Sequence, residues 1–425
     1  MWGLTKFTLL GIHFSVSLDE MADLNYSQAL KKVEQLIYQW NQRYLTPLGK
    51  ITIIKTLVLS KLNHLFLSLP HPNKESMKQI ESMMYKFIWN GKPDRIKRTT
   101  LTQNFLNGGM NMIDLTAFIS SLKVTWVRRI YSNPKAPWTS LAKTYIGTVK
   151  KLALLGPSYP TMIAKRIKNQ FWIEVLDCWS TFLSKLQAQN SSNLLMSPIW
   201  YNPKISNSDM FFPHWYHKGI VSVADIILDN GSFMSLNEIR NSFDIQTNFL
   251  EYHRVLTGVK TYCKKMRIEC PKHVKPVFPI QVKILTKSNK GTKDFYALLR
   301  EREVISTRYS YWEQLFSIKI SKQIWKQIFK NCFKTVQDNT LIWMQYRILN
   351  RILGTCEYLF KINVKENPKC SFCDKESETI IHLFFCCEHT QIFWTDLKSD
   401  ILLLLDINLS VKDSDVILGD TTGGS

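Results

Sequence analysis

The sequence predicts a mainly α fold: a helical bundle with an opening strand, an irregular α+β connecting region, and a small zinc-binding carboxyl-terminal segment. Three observations carry this prediction. Apolar residues recur at helical spacing between Leu30 and Ile130, Pro and turn residues interrupt the middle of the chain, and four Cys with a His crowd between Cys370 and Cys387. With 425 residues, 45% hydrophobic and 12% aromatic, the chain is long and apolar enough for roughly two to three domains and is not disordered throughout.

The elements follow in order. Leu9-Leu10-Gly11-Ile12 reads as part of an opening strand. Asp23 is placed to cap a helix whose inward positions Leu30, Val33, Ile37, Trp40 and Tyr44 step by three and four. Thr46-Pro47-Leu48-Gly49 breaks it, and a second helix from Lys50 to Leu69 puts Ile51, Ile54, Val58, Leu62 and Leu65 on one side, ending at Pro70. Asn73 caps a third with Met77, Ile80, Met84, Phe87 and Ile88 inward, stopped by Asn90-Gly91. Gly108-Gly109 closes a turn-rich segment where the backbone needs positive φ or close approach. A helix from about Asp114 to Tyr131 follows, and a Trp- and Phe-rich helical block includes Ile324, Ile328 and Cys332 at i, i+4 steps. These readings divide the chain into residues 1–132, 133–292, 293–364 and 365–425.

The formal net charge is +21, and it is unevenly laid out. Residues 365–425 carry five Lys and eleven Asp+Glu, a net of −6, which leaves +27 on residues 1–364. Between Leu115 and Ile173 there is no carboxylate, yet the stretch holds Lys123, Arg128, Arg129, Lys165, Arg166 and Lys168 among its cations. A second basic stretch runs from Lys260 through Lys264, Lys265, Lys272, Lys275 and Lys290 to Lys293, with Glu269 as its sole acid. Such runs attract polyanions, RNA or DNA first, although a solvated face is the plainer reading of any single run. No apolar run approaches the ~20 residues of a bilayer span, so no membrane partner is expected.

Cys370-Ser-Phe-Cys373, His382 and Cys387 have the residue types and spacing of a structural Zn(2+) site: a Cys-x-x-Cys turn presents two thiolates, and a later His and Cys close the tetrahedron. Four protein ligands leave no position for water, so the role is structural. Cys386 competes with Cys387 as the fourth ligand, and His389 is a further substitute. Nine Cys, an odd number, with this clustering fit a reducing, intracellular compartment, nucleus or cytoplasm, better than a disulfide framework. No paired Asp-Asp motif, P-loop, G-x-S-x-G or H-E-x-x-H is present, so no catalytic residues are assigned and the chain is not expected to be an enzyme by itself.

Two segments are similar to the carboxyl-terminal half of the LINE-type non-LTR retrotransposon polyprotein. The first comprises Leu9-Leu10-Gly11-Ile12, Trp40-Asn41-Gln42-Arg43, Leu48-Gly49-Lys50-Ile51, Ile54-Lys55, Leu69-Pro70, Phe87-Ile88-Trp89 and Gly108-Gly109-Met110. It resembles the stretch that builds the thumb after the polymerase palm. The second, Cys370 to Trp394 with Glu378-Thr379, His382-Leu383-Phe384 and Phe393-Trp394, resembles the zinc-binding segment associated with reverse transcriptase. Leu9 stands where the family commonly has an aromatic, and Cys386 is additional.

The resemblance implies a thumb, a connecting region and a zinc knuckle that hold template RNA and target DNA during target-primed reverse transcription. The parent polyprotein would be an RNA-directed DNA polymerase whose palm aspartates and endonuclease would lie before Met1. On this reading Lys50, Lys55 and Lys61 approach a primer-template backbone. Lys123, Arg128, Arg129, Lys165, Arg166, Lys168, Lys264 and Lys265 extend the phosphate track. A palm-containing polymerase segment or other retroelement proteins are further expected partners. The competing reading is a zinc-dependent protein-interaction or assembly module; a polymerase completed by a separately encoded palm is the third.

Overall fold

A computed structural model describes residues 6–189, 195–206, 210–268, 280–287, 292–300 and 308–419. The described residues are mainly helical, and their one sheet is a two-stranded antiparallel hairpin, Lys6–Leu9 with Ile12–Ser15. The opening strand is thus two short strands. Leu10 at φ +50° and Gly11 at φ +77° supply the positive dihedrals of a tight hairpin turn, and Lys6 pairs with Ser15.

The chain forms two compact units, each assembled from sequence-distant pieces. The first comprises Met1–Gln28, Leu62–Ser76 and Asp114–Glu301. Its core is built on the Leu115–Ser132 and Gln170–Gln189 helices, where Val124, Val127 and Ile130 are buried with Val175, Trp179 and Phe182. Asp114 caps the first of these as its spacing predicts, accepting from the Ala117 amide at 2.9 Å. Buried ring donors are satisfied by backbone: Trp179 Nε1 donates to Leu152 O at 2.9 Å and Trp200 Nε1 to Ile220 O at 2.7 Å. The expected α+β connecting region contains helices and two isolated bridges, Pro198 with Ser222 and Ile227 with Phe233; no strand is found there among the described residues.

The second unit comprises Ala29–Lys61, Met77–Ile113 and Arg302–Ser425. The first long helix, Leu18–Asn41, starts before Asp23 and ends before Tyr44, which is 98% exposed rather than inward. The next helical run starts at Pro47, earlier than predicted, because Pro fits the first helical position and Thr46 accepts from the Gly49 amide. It continues to Ser68 through a π-turn at Ile54–Val58. Among the described residues this one run is long and apolar enough to cross a membrane, by length and composition only; within it Ile51, Ile54, Val58, Leu62 and Leu65 are all buried, as in a core helix.

Asn73 caps the Lys74–Ile88 helix, accepting from the Ser76 amide at 2.8 Å. Both predicted demands fall on the glycine pair: Gly108 has φ +76°, and a Cβ on Gly109 would lie 2.1 Å from Gln103 O. Tyr346 Oη donates to Gly108 O at 2.9 Å, tying this turn to the Asn339–Leu349 helix.

Candidate metal centre

The metal centre is built from one small hairpin and one irregular turn. Lys369 and Ser377 form an antiparallel bridge, and between them the Cys370 amide donates to Glu376 O at 2.8 Å. Asp374, in the left-handed region at φ +55°, reverses the chain and its amide donates to Cys370 O at 3.0 Å. This tight loop presents Cys370 and Cys373 to the same side, and the Phe372 amide points at Cys370 Sγ, 3.5 Å away. His382 opens a π-turn, His382–Cys386, with its amide held by Thr379 Oγ1 at 3.0 Å.

The π-turn decides the fourth ligand. Its wider step joins the Cys387 amide to His382 O at 2.8 Å, an i→i+5 bond, so Cys387 and not Cys386 comes back beside His382. Cys386 is exposed, and the ligand atoms of Cys370, Cys373, His382 and Cys387 all lie within 4.8 Å of one another. Cys370 Sγ and Cys387 Sγ are 4.0 Å apart, and Cys373 Sγ and His382 Nε2 are 3.3 Å apart. A tetrahedral zinc with bonds of about 2.0–2.3 Å needs donor separations of roughly 3.3–3.8 Å, so the cluster fits after small adjustments. The three-sulfur, one-nitrogen donor set suits Zn(2+), and burial of Cys370, His382 and Cys387 leaves a structural rather than an open site.

The surroundings prepare these ligands. Backbone amides of Lys375 and Glu376 hold the Cys373 thiol down at about 6, which favours the thiolate that binds metal, while burial pushes the Cys370 thiol up. His382 Nδ1 faces Glu376 Oε2 at 3.0 Å, which fixes the ring with Nε2 toward the cluster. Glu378 is buried and accepts from the Ser371 and Cys356 amides, each at 2.9 Å; burial raises it, but these bonds outweigh burial and hold its carboxyl below the usual range. Sequence reasoning missed Glu376 and Glu378 as supports of the centre. The available signal was three carboxylates, Asp374, Glu376 and Glu378, inside the Cys-to-His loop of a net basic chain.

The predicted phosphate-binding cations divide by environment. Lys55, Lys61, Arg129, Lys165, Arg166, Lys168, Lys264 and Lys265 are exposed. Lys50, Lys123 and Arg128 are buried instead, so their charges are not presented as a surface track. Lys50 Nζ donates to Phe87 O at 2.8 Å and to Asn90 Oδ1. Lys123 donates to Leu69 O and lies 3.6 Å from Glu174, while Arg128 sits over the Phe295 ring at 4.9 Å. Lys272, Lys275, Lys290 and Glu269 lie outside the described residues.

Residues 306–394 match a protein family described as zinc-binding in reverse transcriptase. The match encloses all four ligands together with the helices Arg308–Leu315, Lys322–Lys334, Asn339–Leu349 and Cys356–Lys361. The carboxyl-terminal region is therefore reverse-transcriptase-related, and its Cys3His cluster is a structural zinc site.

Proposed function

We propose that this chain is the non-catalytic, nucleic-acid-holding portion of a LINE-type non-LTR retroelement reverse transcriptase, gripping template or primer during target-primed reverse transcription. The Cys3His centre inside the matched stretch is the observation that carries the reading. The thumb-like motifs upstream of it, in the same order along the chain, support the LINE assignment. Exposed Arg129, Lys165, Arg166 and Lys168 in the first unit, and Lys55 and Lys61 in the second, supply phosphate contacts. RNA or DNA is the main partner, a palm-containing segment supplies the chemistry, and the setting is the nucleus or cytoplasm. Polynucleotide binding measured across salt tests this. With about six neutralised phosphates, affinity falls on the order of a thousandfold between 50 and 200 mM salt, and a flat response refutes the reading.

One observation favours the second reading, a protein-interaction module. The Glu388–Leu405 helix has no buried residue and exposes Ile392, Phe393, Leu402 and Leu403. Partner capture that survives nuclease and high salt would support it.

A further inference from the structure

Within the second unit, the start of the Pro47–Ser68 helical run, the turn after Lys74–Ile88 and the Asn339–Leu349 helix enclose a cavity of about 660 Å³. That is the size of a small-molecule or cofactor site. Five cations line it, Arg43, Lys50, Lys92, Arg95 and Arg347, and no carboxylate does. Asp338 lies close in sequence, but it is engaged with the Thr340 amide at 2.6 Å and is not part of the wall. Arg43, Lys92, Arg95 and Arg347 make no ion pair among the described residues. With five cations and no carboxylate in its lining, the wall concentrates positive charge; burial and then Arg95's like charge lower the Arg347 guanidinium's affinity for its proton, with Tyr44 opposing.

The cavity is also aromatic. Trp89 and Trp343 meet with ring centroids 6.3 Å apart, the Arg347 guanidinium lies 5.8 Å from the Trp343 ring, and Tyr44 stands exposed at the rim. Among the described residues Trp89 Nε1 and Arg347 Nε have no acceptor, but both atoms are shielded from the cavity itself. The groups open to a ligand are the cations, and with no carboxylate in the wall they call for an anion that can meet them beside an aromatic surface.

We propose that this cavity binds a nucleotide, its phosphate held by Arg43, Arg95 and Arg347 and its base set against Trp343 and Tyr44, with Trp89 packed behind Trp343. The assignment deepens the nucleic-acid reading and rests on it for the source of the nucleotide, which is one unit of a single strand; the pocket chemistry alone would equally take a free nucleotide. Uncharged or cationic ligands do not suit the wall.

The test uses the full-length zinc-loaded protein and follows tryptophan fluorescence on titration with an eight-nucleotide single strand, with AMP and with inorganic phosphate. The strand quenches the signal, and exposed-site variant Arg95→Ala and half-buried-site variant Arg347→Met each weaken its binding about tenfold. Circular dichroism and zinc content stay unchanged in Arg95→Ala, which separates a lost contact from a lost fold. AMP binding as tightly as the strand assigns the pocket to free nucleotide. Phosphate binding as tightly as AMP overturns the role of the rings. If the native protein binds long RNA but neither variant weakens the eight-nucleotide strand, the pocket assignment is wrong while the broader reading stands. If long RNA does not bind at all, the broader reading falls, and AMP that also fails to quench removes the pocket with it.

Discussion

The zinc segment and the acid-free stretch Leu115–Ile173 were both read from residue type and spacing, and they fared differently. Within 18 residues, Cys370 to Cys387, the chain brings Cys370, Cys373, His382 and Cys387 together and leaves the competing Cys386 exposed. Among the cations of Leu115–Ile173, Lys123 and Arg128 turn inward while Arg129, Lys165, Arg166 and Lys168 face out. The lesson is physical. A metal site is specified by chemistry that only a few short-range geometries satisfy, whereas net charge has no direction. A lysine points wherever its helix face is turned, and Lys123 shares the face of a core helix with Val127 and Ile130.

Glu174 explains why Lys123 can stay inside. It is the first carboxylate after the acid-free stretch, and it accepts from the His71 amide at 2.7 Å and from Gln170 at 3.2 Å while facing Lys123. A stretch that lacks counter-ions in sequence therefore acquires one in space.

Removing the metal should produce the largest effect. Structural zinc binding contributes apparent free energies of about 10–16 kcal/mol in small folded metal units. Chelation, Cys370→Ser or His382→Ala should unfold the zinc segment while most helical circular dichroism survives, with limited proteolysis mapping the cuts near residues 365–419. Cys386→Ser should change neither zinc content nor protease resistance.

Next in size is the buried ion pair. Glu174→Leu strips Lys123 of its counter-charge and should cost about 3–5 kcal/mol in denaturant unfolding, whereas Lys123→Met with Glu174→Leu together should be close to neutral. The pH dependence has a definite sign. Burial pushes the Lys123 ammonium down to about 8, opposed by Glu174, while the unfolded chain keeps that proton to 10.5. The unfolded state thus binds more protons between pH 8 and 10.5, and this group's contribution makes unfolding free energy rise with pH across that window. The rise should be missing from the double variant.

A smaller effect is expected at the support of the metal. Glu376→Gln weakens the hydrogen bond that orients His382, and zinc affinity measured by chelator competition should fall about 10–100-fold with the ligands intact. Smallest of all is the loss of one surface cation. Arg166→Ala should weaken RNA binding about equally for all sequences and reduce the salt slope by about one, while the double variant at Lys123 and Glu174 leaves that slope unchanged.

Much of the helical framework was legible because the apolar period and its punctuation agree: Asn73, Asp114 and the Gly108-Gly109 pair do what their residue types require. Tyr44 misled because it continues the period past Asn41, yet Thr46-Pro47 favours a new helix start and leaves the ring in solvent. The two-unit organisation was not legible. Each unit draws on segments far apart in sequence, and no local pattern encodes that. For the same reason the cavity lined by Arg43, Arg95 and Arg347 left no mark in any single motif. The choice of Cys387 over Cys386 hinged on a π-turn, which periodicity arguments based on 3.6 residues do not anticipate.

Zinc X-ray absorption on the purified full-length protein, with metal quantified per chain, tests the central claim most directly. One zinc per chain, with three sulfurs at about 2.3 Å and one nitrogen at about 2.0 Å, is the predicted result. Absence of zinc, or a shell containing oxygen ligands in place of sulfur, would contradict the closed Cys370, Cys373, His382, Cys387 centre.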